Sequence, residues 1–374
     1  MKTTLGILGG GQLARMLCLE ARRMGVRTVV WSGTPLAEPC EGVPDLLLNR
    51  DFRDLEALRT FVAEVDVATV EFENIPLEAL QAVEEKVPLR PSSGSIRVAQ
   101  HRSREKAFLQ ENQIPCAPFA LINSLEDLKE AYAEIGPVAV LKTAAFGYDG
   151  KGQVKLSSAD ELAKAWESVD GQASVLEAYV DFQCEISVLV ARSPSGEVVH
   201  FPAAENQHRH HMLDLSIVPA RVPAVTLQEA GALADRIVDA LSYEGLLAVE
   251  FFVARDGRVL VNEIAPRPHN SGHFTMDGCV TSQFEQQLRA ALDLPLGDPA
   301  LLSPTVMLNL LGDMWKGEPR TLDEFQILSA HGGKIHLYGK SEPGERRKMG
   351  HANFTGPGNA LETALRVKST LLGS

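Results

Sequence analysis

Apolar positions in the first hundred residues fall alternately into short continuous runs and stretches of helical spacing. Residues 4–8 form an apolar run that stops at Gly9, Gly10 and Gly11. Residues 12–24 then carry Leu13, Met16, Leu17 and Leu19 at helical spacing, with Gly25 as the stop. Met16, Leu17 and Leu19 are expected in the core. A second buried strand is predicted over 27–31, a helix over 54–64, a strand over 68–72 and a helix over 76–87. Strand–loop–helix–strand order implies parallel strands with right-handed crossovers, so residues 1–97 predict one doubly wound, Rossmann-like α/β domain.

The pattern then changes. Residues 102–112 read as a linking helix, followed by the breaks Ile114-Pro115 and Ala117-Pro118. Strands are predicted over 138–143, 153–156, 174–179, 185–191 and 198–202, and helices over 159–168, 227–241 and 282–292. A hairpin is predicted from 246–254 and 258–264. Mixed order with hairpin signals predicts an α+β domain over 98–300, with a small lobe over 115–180. A small β-rich C-terminal domain over 301–374 closes with a helix at 361–370.

Composition narrows the classes. Among 374 residues, 45% are hydrophobic and 23% charged, which excludes disordered and collagen-like chains. The net charge of −13 speaks against a nucleic-acid partner while leaving room for a local cationic pocket. The cysteines at 18, 40, 116, 184 and 279 are odd in number and include no C-x-x-C, which points to a reducing, cytoplasmic setting without structural zinc. No apolar run approaches the ~18 residues of a membrane span. The apolar stretch near the start is too short and glycine-broken for a secretory signal.

Gly9, Gly11 and Ala14 fit the G-x-G-x-x-G/A pattern between a strand and a helix. No acid follows the second strand until Glu38, so dinucleotide binding is disfavoured. A phosphate-bearing ligand and a plain packing turn both remain open.

Asp256-Gly257 predicts a two-residue type I′ turn. Partners then sum to 513, and Glu250 faces Glu263, with Phe252 and Val261 on the same face and Val249, Phe251 and Val253 on the other. Opposed buried carboxylates repel. Either one takes up a proton or a cation lies between them, and the neighbouring Asn262 adds an amide oxygen suited to Mg²⁺. A bulge that breaks the register, or a solvent-facing pair, is the alternative. Lys142 in an apolar strand is a snorkelling surface lysine or a phosphate ligand. Gly147, Gly150 and Gly152 lack Walker spacing and suit a phosphate flap or an ordinary hairpin. The segment Glu177-Ala178-Tyr179-Val180 can present backbone groups to an adenine edge, with the carboxylate left for ribose hydroxyls. The histidines of QHRHHM, His208, His210 and His211, read as a solvated polar loop rather than a zinc cluster.

In this order the pieces resemble the ATP-grasp superfamily. GGGQLARM, FENIP at 72–76, GYDGKGQ at 147–153, NEIAPRPHNSGH at 262–273 and RKMGH at 347–351 are similar to the 5-(carboxyamino)imidazole ribonucleotide synthase family, over nearly the whole chain. The resemblance implies an ATP-dependent carbon–nitrogen ligase that carboxylates aminoimidazole ribonucleotide with bicarbonate through carboxyphosphate, in purine synthesis, as a homodimer. It implies ATP contacts from Arg102, Lys142, Gly147, Tyr148, Asp149, Gly150, Lys151, Gly152, Gln153, Glu177, Ala178, Tyr179, Val180, Glu185, His208, Asn262 and Glu263. Glu250 and Glu263 would hold Mg²⁺, with Mn²⁺ as an alternative. Arg267, His269 and Asn270, with Lys142, would serve bicarbonate and its phosphorylated form. The ribonucleotide would meet Gly9, Gly10, Gly11, Gln12, Leu13, Glu73, Tyr148, Asp149, Lys340, Arg347 and Lys348. One departure stands out: Gly344 occupies a position where the family usually has arginine, and Arg346 follows two residues later.

Overall fold

A computed structural model describes residues 3–36, 38–145, 152–315, 328–340, 342–344 and 347–373. Strands β1 (Thr4–Leu8), β2 (Arg27–Gly33), β3 (Leu46–Asp51) and β4 (Val67–Val70) form a parallel sheet in the order β3-β2-β1-β4. Helix α1 (Gln12–Arg23) covers one face with Leu13, Met16 and Leu17, and Gly25 at φ +71° ends it. Leu19 departs from the expected core set and is 48% exposed, because it lies on the outer side of that helix. Helices α2 (Leu55–Glu64) and α3 (Leu77–Glu84) cover the other face through Phe61, Leu80 and Val83. Asp54 caps α2, its carboxylate accepting from the Glu56 and Ala57 N–H groups.

Helices α4 (Ser93–Ala99) and α5 (Arg102–Glu111) lead into the central region. There β5 (Phe119–Ile122), α6 (Leu125–Ile135), β6 (Ala139–Thr143), β7 (Gln153–Leu156), α7 (Leu162–Ser168) and β8 (Ser174–Ala178) build a small lobe. Its antiparallel sheet has the order β5-β8-β6-β7. Further strands follow: β9 (Phe182–Arg192), β10 (Val198–His200), β11 (Ala204–Arg209), β12 (Met212–Val218), β13 (Gly245–Ala254), β14 (Val259–Ala265), β15 (Thr305–Leu311), β16 (Gly333–Leu337) and β17 (Lys348–Thr355). They make one sheet in the order β14-β13-β9-β11-β12-β15-β17-β16, with β10 on β9. The sheet therefore runs through residue 301 without a break, β15 pairing with β12. Helix α8 (Ala224–Ala240) packs on it, as does the C-terminal helix Ala360–Leu372. Among the described residues no helix is long and apolar enough to cross a membrane.

The QHRHHM segment corrects its reading as a loop. His208 and Arg209 belong to β11 and Met212 to β12, and the turn between them is His210-His211, with φ of 51° and 65°. Two positive φ values mark the primed hairpin turn, and histidine tolerates that region better than branched residues do.

One buried amide joins the parallel sheet to the large one. Gln287, on α9 (Gln283–Ala291), accepts the Leu246 N–H at 2.5 Å and donates to Thr69 Oγ1 at 2.7 Å. Gln287→Leu is expected to cost about 2–3 kcal/mol, because it strands a buried N–H and a hydroxyl together. Chemical denaturation measures this, and an unchanged midpoint would contradict it.

Candidate active site

The β13–β14 hairpin reaches the expected pairing by an unexpected route. Gly257 N–H donates to the Ala254 carbonyl at 2.9 Å, and only Gly257 in the turn has positive φ, at 91°. This is a three-residue connection with glycine in the left-handed position, not the type I′ turn that Asp256-Gly257 predicts. Pairing therefore starts one residue out of step, with Val253 opposite Val259 and Phe251 opposite Val261. A bulge at Asn262 restores the step, and Glu250 faces Glu263. Val261 moves to the face of Val249, Phe251 and Val253, where all four are core residues. Strict alternation would also have turned Asn262 away from Glu263. The bulge aims both into the cleft beside Glu250.

That cleft holds about 1000 Å³. Lys142, Gln153, the 177–180 segment, Glu185, His208, His269, Asn270 and Lys348 also line it. Phe182 and Phe252 stack at 4.8 Å between centroids and give it an apolar wall. Among the described residues, Gly152 takes φ +69° and a Cβ there would meet Thr143 Oγ1 at 2.4 Å, so this end of the loop requires glycine. The calls on Gly147, Tyr148, Asp149, Gly150 and Lys151, and on Arg346, lie outside the described residues.

Glu177 corrects a second expectation. Its carboxylate is buried among three cations: Lys142 Nζ at 3.0 Å, Lys106 Nζ at 3.4 Å and Arg102 at 3.4 Å. It is thereby committed to holding the lysines rather than free for ribose hydroxyls. Burial opposes its ionisation, but the charges of Lys106, Lys142 and Arg102 prevail and hold it at about 2. Lys142 is drawn down to about 8 by burial, partly offset by Glu177. Arg102 lies behind the cleft wall and also bonds Glu263 Oε2 at 3.1 Å. The open acid in this part of the cleft is Glu185, paired with His208 Nδ1 at 2.7 Å, and this contact raises the histidine above its ordinary value against the effect of burial.

The acid pair divides its protonation. Burial, then the charge of Glu263, pushes Glu250 up to about 8. Burial also works against Glu263, but Arg102 and Lys142 outweigh it and keep that carboxyl low. Asn262 Oδ1 is buried without a hydrogen-bond partner, as are both amide atoms of Asn270. Two carboxylates and an orphaned amide oxygen form an all-oxygen donor set that fits Mg²⁺ or Mn²⁺. His269 stays neutral, pulled to about 3 by burial and then by Arg267 and Lys348. Its Nδ1 accepts from the Ser271 N–H at 3.3 Å, which leaves the ring proton on Nε2.

A second group of expected residues lies outside the cleft lining. Arg267 grips Glu73 with Nε–Oε2 2.5 Å and Nη2–Oε1 3.2 Å, joining the stretch after β14 to the stretch after β4. Lys340 Nζ donates to the Lys348 carbonyl at 2.8 Å, and Arg347 reaches the Glu342 carbonyl at 3.0 Å. The helix N-terminus behind the first glycine loop is already occupied by a buried carboxyl group, which burial pushes above its ordinary value. Glu71 Oε1 accepts the Gly11 N–H at 2.9 Å, and Oε2 the Ala14 N–H at 3.4 Å. Leu13 packs in the core, while Gln12 is only half-buried. Glu71, Glu105 and Lys106 escaped the sequence reading, since nothing local distinguishes them from surface charges.

Comparison with known proteins converges on one family. Residues 1–100 match the ribonucleotide synthetase preATP-grasp domain, 107–284 the ATP-grasp domain and 305–362 the phosphoribosylaminoimidazole carboxylase C-terminal domain. The chain is 42% identical over 354 residues to the N5-carboxyaminoimidazole ribonucleotide synthase of Bacillus subtilis, covering 94% of this chain and 90% of that one. A solved ADP complex of an N5-carboxyaminoimidazole ribonucleotide synthetase superposes with a TM-score of 0.91 at 42% identity, covering 99% and 96% of the two chains. The Aspergillus clavatus synthase, solved with ADP and 5-aminoimidazole ribonucleotide, gives 0.89 at 30% identity, covering 99% and 98%.

Proposed function

The chain belongs to the N5-carboxyaminoimidazole ribonucleotide synthase family, and from that premise we propose how its own residues divide the work. It is an ATP-dependent ligase of purine biosynthesis that converts 5-aminoimidazole ribonucleotide to N5-carboxyaminoimidazole ribonucleotide. Bicarbonate is the carbon source in this reading, activated as carboxyphosphate. The assembly is a homodimer in the cytoplasm, and five unpaired cysteines agree with a reducing compartment.

Phosphoryl transfer to bicarbonate asks for alignment and charge neutralisation rather than a protein nucleophile. The adenine lies against the Phe182–Phe252 wall and the backbone of 178–180, with Glu185 and His208 beside the ribose. Lys142, oriented by Glu177, meets the phosphates. A divalent cation on Glu250, Glu263 and Asn262 would neutralise phosphate charge there. Asn270 offers both an unpaired donor and an unpaired acceptor to bicarbonate, and neutral His269 donates from Nε2. Arg267, steadied by its grip on Glu73, offers its remaining N–H groups to bicarbonate. Carboxyphosphate decays in water, so it has to be kept from bulk solvent until the ribonucleotide amine attacks. Lys340, Arg347 and Lys348 supply the cationic ground for the ribonucleotide phosphate.

The observation that carries this reading is the opposed acid pair with its orphaned amide, in the same cleft as Lys142. The test is ADP release with bicarbonate or formate, each with and without the ribonucleotide. Fast release is expected only with bicarbonate and ribonucleotide together. Formate-driven release would favour a transformylase, and tight ATP binding without release a regulator.

A pH effect follows for the ribonucleotide. Burial, then Arg347 and Lys348, lowers Lys340 to about 8. Lys340 is therefore charged below that pH and neutral above it, and phosphate binding weakens as pH rises. With ATP saturating, so that Lys142 is held by the nucleotide phosphates, kcat/KM for the ribonucleotide should fall above pH ~8, since that parameter then reports ionisations of the ATP-bound enzyme. Lys340→Arg should move the fall upward, because guanidinium stays charged. An unmoved profile would contradict the assignment.

A further inference from the structure

Helix α5 supplies three charged groups, at positions 102, 105 and 106, on one helical face. All three bond the run Asn262-Glu263-Ile264 of β14. Glu105 Oε1 accepts the Ile264 N–H at 2.6 Å. Lys106 Nζ donates to the Asn262 carbonyl at 3.2 Å. Arg102 takes the Glu263 carboxylate itself at 3.1 Å. The backbone on both sides of Glu263 is thus gripped from a single element.

Neither Glu105 nor Lys106 lines the cleft; Glu105 is 3% exposed and Lys106 is fully buried. A buried ammonium costs several kcal/mol unless well partnered. Its partners here are the carbonyl of the bulged residue and Glu177 Oε2 at 3.4 Å. A bulge interrupts the ladder and leaves its extra residue without a regular strand partner. Lys106 takes the carbonyl of that residue, and Glu105 takes the next N–H but one.

We propose that Lys106 and Glu105 are positioning residues that lock the Asn262 bulge, and so aim Asn262 and Glu263 together at the divalent cation. The inference rests on the metal role proposed for Glu263. Without the lock, the bulge is free to migrate along β14, and one step of slip turns Asn262 away.

The test is Mn²⁺ titration in the presence of ADP, read by electron paramagnetic resonance without turnover. Lys106→Met is expected to weaken Mn²⁺ by about 10–100-fold, the range for groups that orient metal ligands. Half-saturating Mn²⁺ for activity should rise in parallel while KM for the ribonucleotide holds. Glu105→Gln keeps an acceptor for the Ile264 N–H and should stay within about threefold, whereas Glu105→Ala should lose about tenfold. The Glu105 pair carries the test should Lys106→Met fail to fold. Glu263→Gln is the reference. If it loses Mn²⁺ while Lys106→Met and Glu105→Ala bind as the parent does, the lock is wrong and the metal site stands. If all three bind as the parent does, both are wrong.

Discussion

Glu250→Gln is expected to stabilise the metal-free protein and to slow the enzyme by at least about 100-fold, the scale for losing one preorganised charge contact. Glutamine keeps the shape of the side chain and removes its charge. In the metal-free protein Glu250 faces Glu263 in register, and burial and that neighbour already push it toward its neutral form. Replacing it relieves a repulsion held for function, by about 1 kcal/mol, as found where sites are strained for activity. Glu263→Gln should slow the enzyme as much but stabilise nothing, because Arg102 then loses a partner. Thermal unfolding in EDTA and kcat at saturating ATP separate the two. A Glu250→Gln protein that is less stable yet active would contradict the paired-acid account.

Arg267→Met should fail in two separable ways. Arg267 and Glu73 are largely buried and bonded through both oxygens, tying two domains together. Leaving Glu73 unpaired should cost about 3 kcal/mol. Activity should drop about 10²–10³-fold, as when an oriented donor at a developing charge is removed. Adding Glu73→Gln should restore much of the stability and none of the activity. Denaturant midpoints with kcat/KM for both proteins decide it. Recovery of activity in the double variant would reduce Arg267 to a strut.

The parts legible in the sequence are those set by local rules. The run 4–8, the glycine stop at 25, the capped helix after Asp54 and strand 153–156 all stand where pattern places them. The acid pair was legible through two errors that cancel: a turn one residue longer than type I′, and a bulge one residue wide. Neither can be read from alternation, because a bulge depends on what grips the freed backbone, and that is helix α5, far away in sequence. β3 escaped because Leu46 and Leu48 on one face and Leu47 on the other are all half-buried at a sheet edge, so the strand shows no alternation. Glu71 escaped because its partner N–H groups lie 57 and 60 residues away. Glu177 was found but misassigned, since its three cations come from two other elements.

Crystals grown with ADP and Mn²⁺ test the central claim most directly. The account predicts an anomalous peak between the two acids, with a carboxylate oxygen from each of Glu250 and Glu263 at about 2.1–2.2 Å and further oxygens from ADP. A peak bound by other residues, or ADP seated in the cleft with no ion between these two acids, would contradict it.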